Sequence, residues 1–235
     1  SQKGRAYVFV TSDDGLTWSE TAILQGSDLS TGDLFGESVA ISGNYIVVGC
    51  ATQNASTGSA YVFVTSDNGA TWTQQAKLTA SDGASNDKFG SSCGIYQTSA
   101  TDIDIVIGAY LDDDGGSATG SAYVFNGNGS SWTQTTKLVH DSPGSADFFG
   151  YSVSIYGDYI IVGSYADDDM GSAAGVAFIF QKSGGSWSQM QKLYASDAAG
   201  VDFFGVSVSI AEDKAVIGAY GDDDKGSSSG SSYVF

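Results

Sequence analysis

Basic residues are scarce in this chain: Lys and Arg number 9 against 27 Asp and Glu, giving a formal charge of −18. A surface of that sign repels phosphate backbones, so nucleic acid is excluded as a partner. There is one arginine, Arg5, and one histidine, His140. Proline occurs once and cysteine twice, as Cys50 and Cys93, too few for a disulfide scaffold. No apolar run is long enough to cross a bilayer, so membrane insertion is not expected. The first residues lack the charged and apolar regions of a signal peptide and no methionine opens the chain, which reads as a mature product or a piece of a longer one.

What the chain does have is glycine (32 residues), tyrosine (13) and phenylalanine (12), a composition suited to many short strands joined by tight turns. A chain of 235 residues with 41% hydrophobic content buries a sizeable core, and all-β domains of this size are commonly single, here residues 1–235. Phe-Gly pairs recur at Phe35, Phe89, Phe149 and Phe204, at intervals of 54, 60 and 55 residues. Glycines ahead of AYVF-like segments (Gly4, Gly58, Gly120, Gly175, Gly230) and the tryptophans Trp18, Trp72, Trp132 and Trp187 keep the same period. A period near this length points to propellers or arrays. The repeats run over about residues 4–57, 58–119, 120–174 and 175–229, with 230–235 starting another.

Each period reads as four strands. The first begins at Phe-Gly, where Phe149, Tyr151, Val153 and Ile155 alternate with Gly150, Ser152 and Ser154. One face is large and its reverse is small, so successive sheets can nest face to face. The second strand, such as DYIIVGS, is apolar on both faces and follows a two-residue tip at Gly43-Asn44, Gly157-Asp158 or Glu212-Asp213. In one repeat the longer YQTSATDID replaces that tip and predicts a protruding loop. The third strand is AYVF, and the fourth runs from each tryptophan to Leu24, Leu78, Leu138 or Leu193 as an exposed outer edge. Cys50 and Cys93 stand where other repeats carry Val, Ala or Ser, so buried small residues are favoured over a disulfide.

TSDDGLTW (residues 11–18) and TSDNGATW (residues 65–72) resemble the Asp-box hairpin of sialidases and related propellers. That resemblance implies a folding element in which the Asp closes the turn and the Trp packs beneath it. Phe-Gly, then VVG or VIGA, then GSAYVF resemble the FG-GAP repeats of integrin α-subunit β-propellers across essentially the whole chain. The implied fold is an all-β propeller of four-stranded antiparallel blades, with about four repeats present. It also implies extracellular or cell-surface work in adhesion. Integrin-type repeats often carry a calcium loop between the first and second strands; here a two-residue turn stands there, leaving only Asp102 and Asp104 of the longer loop as weak candidates.

Seventeen of the 27 acidic residues gather in the loops before the first strand and between the second and third, on one face. Among them are the triplets Asp112, Asp113, Asp114; Asp167, Asp168, Asp169; and Asp222, Asp223, Asp224. Such crowding raises carboxylate pKa values unless cations neutralise it, and oxygen ligands of this kind suit Ca2+. The Asp ahead of each Phe-Gly, such as Asp147 or Asp202, is expected to bond amides of its own loop. Tyr110, Tyr165 and Tyr220 beside the acidic loops are candidate ligand-binding aromatics, with packing over the blade edge as the alternative. Asn54 and Asn128 head glycosylation sequons, although Asn-Gly at the second is also ordinary hairpin chemistry. No enzyme is expected: a sialidase-type arginine cluster cannot be assembled from Arg5 alone, and His140 reads as a satisfied loop or surface residue. The expected partners are an extracellular protein or a glycan. Since the chain opens and closes on a third strand, head-to-tail filaments of identical copies are a further expectation.

Overall fold

The computed structural model describes residues 3–235. It is all-β, with five antiparallel meanders in which each strand pairs with the next in sequence. The first sheet holds β1 (Ala6–Val10) and β2 (Ser19–Leu24). Three complete four-stranded sheets follow. These are β3 (Val39–Ser42), β4 (Tyr45–Cys50), β5 (Ser59–Val64) and β6 (Thr73–Leu78); then β7 (Ser92–Ser99), β8 (Asp102–Ala109), β9 (Ser121–Gly127) and β10 (Trp132–Val139); then β11 (Ser152–Tyr156), β12 (Tyr159–Ser164), β13 (Val176–Ser183) and β14 (Ser186–Leu193). The fifth has β15 (Phe204–Ala211), β16 (Lys214–Ala219) and β17 (Ser231–Val234). These are propeller blades, and among the described residues no hydrophobic core joins the first sheet to the fifth.

Each core lies between consecutive blades and has two unlike halves. Val106, Ala122 and Val124 of one blade meet Val153, Ile155, Phe178 and Phe180 of the next. Likewise Val47, Ala60 and Val62 meet Ile95, Ile105, Tyr123 and Phe125. Large side chains on one face and small ones opposite fill the gap without off-rotamer strain. The nesting read from alternation is therefore the principle of assembly.

The first strand starts later than the sequence suggests. Phe35, Phe89 and Phe149 lie ahead of their strands, each forming a single parallel bridge to Gly4, Gly58 or Gly120. The glycine that follows is in the left-handed region, at φ +99, +96 and +87 for Gly36, Gly90 and Gly150. That turn breaks the alternation, so Phe149 is buried while Tyr151 emerges at the surface. YQTSATDID does not form a protruding loop. Ser99 pairs with Asp102, so the tip has two residues and the hairpin is longer because Ile103 and Asp104 extend the ladder, with a bulge between Gln97 and Ser99. The tips at residues 43–44, 157–158 and 212–213 have the expected two residues.

Glycine near the end of the second strand sets how closely blades approach. A Cβ on Gly49, Gly108 or Gly163 would stand 1.9, 1.9 or 2.0 Å from the carbonyl oxygen of Gly90, Gly150 or Gly205 in the next blade. The same carbonyls accept hydrogen bonds from Ser38, Ser92 and Ser152 at 2.8, 2.8 and 2.7 Å. At Gly218, in the last blade, no neighbouring carbonyl is present and the nearest atom is the Ser207 hydroxyl at 2.5 Å. Gly163→Ala is accordingly expected to cost ~3 kcal/mol in urea unfolding, through forced separation of two blades, whereas Gly218→Ala should cost under about 1 kcal/mol. Equal losses at the two positions would show that close approach between blades is not the constraint.

Candidate functional site

The acidic loops are built from one recurring unit, in which an aromatic residue of the third strand is surrounded by carboxylates from two loops. In the second complete blade the Tyr123 hydroxyl donates to Asp112 at 2.6 Å, and Lys137 of β10, opposite Tyr123 in the ladder, reaches Asp82 at 2.8 Å, Asp112 at 3.1 Å and Asp114 at 2.6 Å. The ammonium lies 5.3 Å over the Tyr123 ring. Burial alone would lower the Lys137 pKa, but the bonds from Asp114, Asp82 and Asp112 outweigh it and raise it. Burial also pushes Asp82 up, and the bonds from Lys137 and Tyr123 bring it below its ordinary value.

The unit varies by blade. In the first complete blade Tyr61 donates to Asp28 at 2.6 Å and to Gln53 at 3.0 Å, and Lys77 bonds Asp28 at 2.5 Å. Gln53 takes the place of the first aspartate of the triplet. It opens a short turn, Gln53–Ser56, in which Asn54 and Ala55 have φ of +53 and +56, and the Asn54 side chain points to solvent. In the third complete blade the aromatic is Phe178, which has no hydroxyl, and His140 supplies the bond. Its Nδ1 accepts the Ser142 amide at 3.0 Å, so Nε2 carries the proton and donates to Asp167 at 2.6 Å, while the ring packs 4.6 Å from Phe178. The histidine is buried rather than at the surface. The corresponding residues in the other blades are Gly26, Ala80 and Ala195. A Cβ at Gly26 would already lie 2.8 Å from the Tyr61 ring, so the tyrosine hydroxyl and the imidazole are alternative occupants of one space. Lys192 completes this blade at 2.8 Å from Asp141 and 3.2 Å from Asp169.

Of the triplets proposed for Ca2+, Asp112, Asp167 and Asp222 are buried and also accept amides of Asp114, Asp169 and Asp224. Asp114 and Asp169 pair with lysines, and Asp113, Asp168 and Asp223 face solvent. Lys137 bridges Asp112 and Asp114 of one triplet, whereas Lys192 reaches one member of another, Asp169, and lies between it and Asp141. Asp102 and Asp104, the weaker candidates, bond Asn126 at 2.9 and 3.0 Å, and Asp104 pairs with Lys182 at 2.6 Å. Asp33, Asp87, Asp147 and Asp202 accept amides three residues back, from Ser30, Ala84, Gly144 and Ala199, at 2.7, 2.6, 2.5 and 2.7 Å. Burial raises Asp87 and Asp147, with neighbouring carboxylates adding to it, while bonds from lysines lower Asp28, Asp82 and Asp141.

Tyr110, Tyr165 and Tyr220 belong to one aromatic ladder crossing three blades. Tyr110 packs 5.3 Å from Tyr151, Tyr151 packs 4.5 Å from Tyr165, and Tyr165 packs 5.8 Å from Phe203. Phe203 stacks on Tyr220 at 5.0 Å and Phe148 on Tyr165 at 5.4 Å. Tyr151 and Tyr220 are exposed, and the others half-buried. Phe148, Tyr151 and Phe203 do not stand out as a row in the sequence, because Tyr151 falls in the alternating run and the two phenylalanines adjoin the Phe-Gly pair. The doubled phenylalanine of FFG, at residues 148–149 and 203–204, was the available signal.

Asn128 faces solvent, and its Oδ1 accepts the Ser130 and Ser131 amides at 3.0 and 2.9 Å, closing its own turn. Cys50 and Cys93 are free, and burial pushes both thiols up to about 12. In the Asp-box hairpins Asp13 and Asp67 each accept a threonine hydroxyl at 2.6 Å and an amide, from Thr17 and Thr71, and those bonds lower both to about 2. Trp72 is half-buried, whereas Trp18 is 61% exposed. The second box leans on the first sheet, where Thr21 donates to the Gly69 carbonyl at 3.1 Å.

Residues 18–63, 72–125, 132–180 and 187–235 match the FG-GAP repeat family, and the chain belongs to it. No curated protein matches the sequence. Each matched unit opens on a tryptophan, so it contributes the outer strand of one sheet and three strands of the next. No helix among the described residues is long and apolar enough to cross a membrane.

His140→Ala should destabilise the protein by about 2 kcal/mol by stranding the buried Asp167, and Phe178→Tyr in that background should restore much of the loss, as seen in urea melts. Failure of the second substitution to rescue would refute the exchange of roles. The Asp67 carboxyl should titrate with a midpoint of about 2 by NMR. Its folded pKa lies below the ordinary aspartate value, so its contribution to stability is fully present above that ordinary value and disappears as pH falls through about 2.

Proposed function

We propose that this FG-GAP repeat protein is a non-catalytic adhesion or scaffold module of the cell surface or extracellular matrix, engaging a protein or glycan through its aromatic ladder. The ladder carries the reading. Half-exposed rings aligned over three blades give contact area at low entropic cost, and Tyr is enriched at binding hot spots. Phe148 and Phe203 hold φ of +57 and +59, a costly conformation for bulky residues that keeps their rings in the row. The same conformation at Leu34 and Lys88 makes it a property of the repeat, onto which two blades have placed aromatics.

Several features support the absence of catalysis. His140 is fixed by Asp167 and Ser142, the acids recur as scaffold in every blade, and lysine neutralises them where a reacting group would need space. Lysine also bears on calcium: complete blades already hold a cation among their carboxylates, so in this reading their stability does not depend on the metal.

One observation favours a second reading, assembly into filaments of identical copies. Tyr7, Phe9, Val39 and Ile41 leave a large apolar face exposed on the first blades, around a groove of about 490 Å³. Val216 and Val234 leave the small face of the last blade exposed, where the Ser207 hydroxyl has no neighbouring carbonyl. These are the two kinds of face that blades bury against each other elsewhere in the chain.

Immobilised protein probed with a glycan array and a panel of matrix proteins is expected to retain a ligand that Tyr165→Ala with Tyr220→Ala releases, with no change in the ligand profile on chelator treatment. Absence of any ligand, or retention by the double variant, would count against the ladder. Growth of the particle with concentration in sedimentation would favour the filament reading instead.

A further inference from the structure

At the opposite end of the first strands from the aromatic ladder, near the hairpin tips, two tyrosines meet. The residue after the isoleucine of each first strand is Ser42, Tyr96, Tyr156 and Ala211 in turn. The repeat therefore does not require an aromatic there, yet two consecutive complete blades carry one. The ring centroids of Tyr96 and Tyr156 are 4.9 Å apart, at an interplanar angle of 54°. Tyr96 leans on the core between these blades, and both residues are half-buried, so both stay reachable from solvent. The Tyr96 phenol stands close enough to Tyr156 to raise its pKa, with burial and Glu212 adding to the effect, so Tyr156 is a neutral phenol at physiological pH. Two phenylalanines would pack equally well in this place. What the two hydroxyls add is chemistry.

We propose that Tyr96 and Tyr156 are a site of oxidative cross-linking, joined as dityrosine by a haem peroxidase with hydrogen peroxide, so that two neighbouring blades become covalently linked. Each phenol gives up one electron and one proton. The two phenoxyl radicals couple through ring carbons beside their oxygens, forming one carbon–carbon bond. Each coupled carbon then loses its hydrogen as a proton while the oxygen regains one, which restores both aromatic rings. Hydrogen peroxide takes up the two electrons and two protons and leaves as two molecules of water. Because the second ring is already in contact, coupling inside the pair outruns encounters between separate molecules. In the ladder Tyr151 and Tyr165 are as near, at 4.5 Å, but they meet edge to face at 64°, so the rim of one ring points at the face of the other.

The whole protein, at low concentration, is treated with a haem peroxidase and limiting hydrogen peroxide. Dityrosine fluorescence is expected, together with a monomer lighter by two hydrogen atoms and a peptide map that joins the segment of Tyr96 to that of Tyr156. Tyr96→Phe and Tyr156→Phe keep the ring, so both variants should melt like the parent protein, while dityrosine fluorescence of the monomer falls ~10-fold, since the preset partner is lost. The cross-linked protein should melt at least about 5 °C higher, because the bond restricts the unfolded chain as a disulfide does. The proposal is overturned if peroxidase leaves the monomer unmodified, or if cross-links form only between molecules, as through the exposed Tyr7 or Tyr220. It is also overturned if the map places the bond between Tyr151 and Tyr165, or if both phenylalanine variants keep the full fluorescence.

Discussion

Everything in this molecule depends on how closely one blade can approach the next. The contact is between backbones: a glycine Cα near the end of each second strand lies against the carbonyl that follows a Phe-Gly turn, and a serine hydroxyl bonds that same carbonyl. With no Cβ in the way, the small face of one sheet settles onto the large face of its neighbour. The aromatics that fill the gap then have a fixed depth, and the acidic loops at the strand ends are brought into register from blade to blade. A carboxylate from the loop before the first strand can thus meet one from the loop after the second, around a single ring.

That geometry places many negative charges together, and the structure answers with a small set of cations. Lys137 and Lys192 are held charged by their carboxylates more than burial disfavours them, and a phenol hydroxyl or the His140 imidazole bonds carboxylates of the same clusters. One lysine in each cluster reduces the repulsion without cancelling it, since Lys137 alone faces Asp82, Asp112 and Asp114.

The period, the strand count and the nesting of large on small faces were legible in the sequence, since they follow from alternation and from three markers repeating together. The Asp-box closure was legible too, because its bonds are local, from Thr17 to Asp13 and from Thr71 to Asp67. At Phe35, Phe89 and Phe149 the Phe-Gly pair is a turn ahead of the strand, whereas at Phe204 it opens the strand as the sequence suggests; a glycine in an alternating run gives no sign of its φ. His140 was beyond reach for a different reason. Its partner Asp167 is 27 residues away, and only the stacking of blades makes the absence of a hydroxyl at Phe178 and the presence of an imidazole at 140 the same event. The recurring Lys-Leu, with Ile23-Leu24 as its exception, was visible in the sequence but carried no meaning until the carboxylates were seen around it.

The phase of the repeat explains why charge and fold are linked here. Each FG-GAP unit opens on the outer strand of the preceding sheet, so the lysine that neutralises a blade is encoded in the next unit. A blade is therefore complete only when the outer strand encoded in the next unit has joined it, which covers the edge of the third strand and brings a lysine to the carboxylates beside its aromatic. The ladder thus places a lysine opposite the same aromatic position in each complete blade.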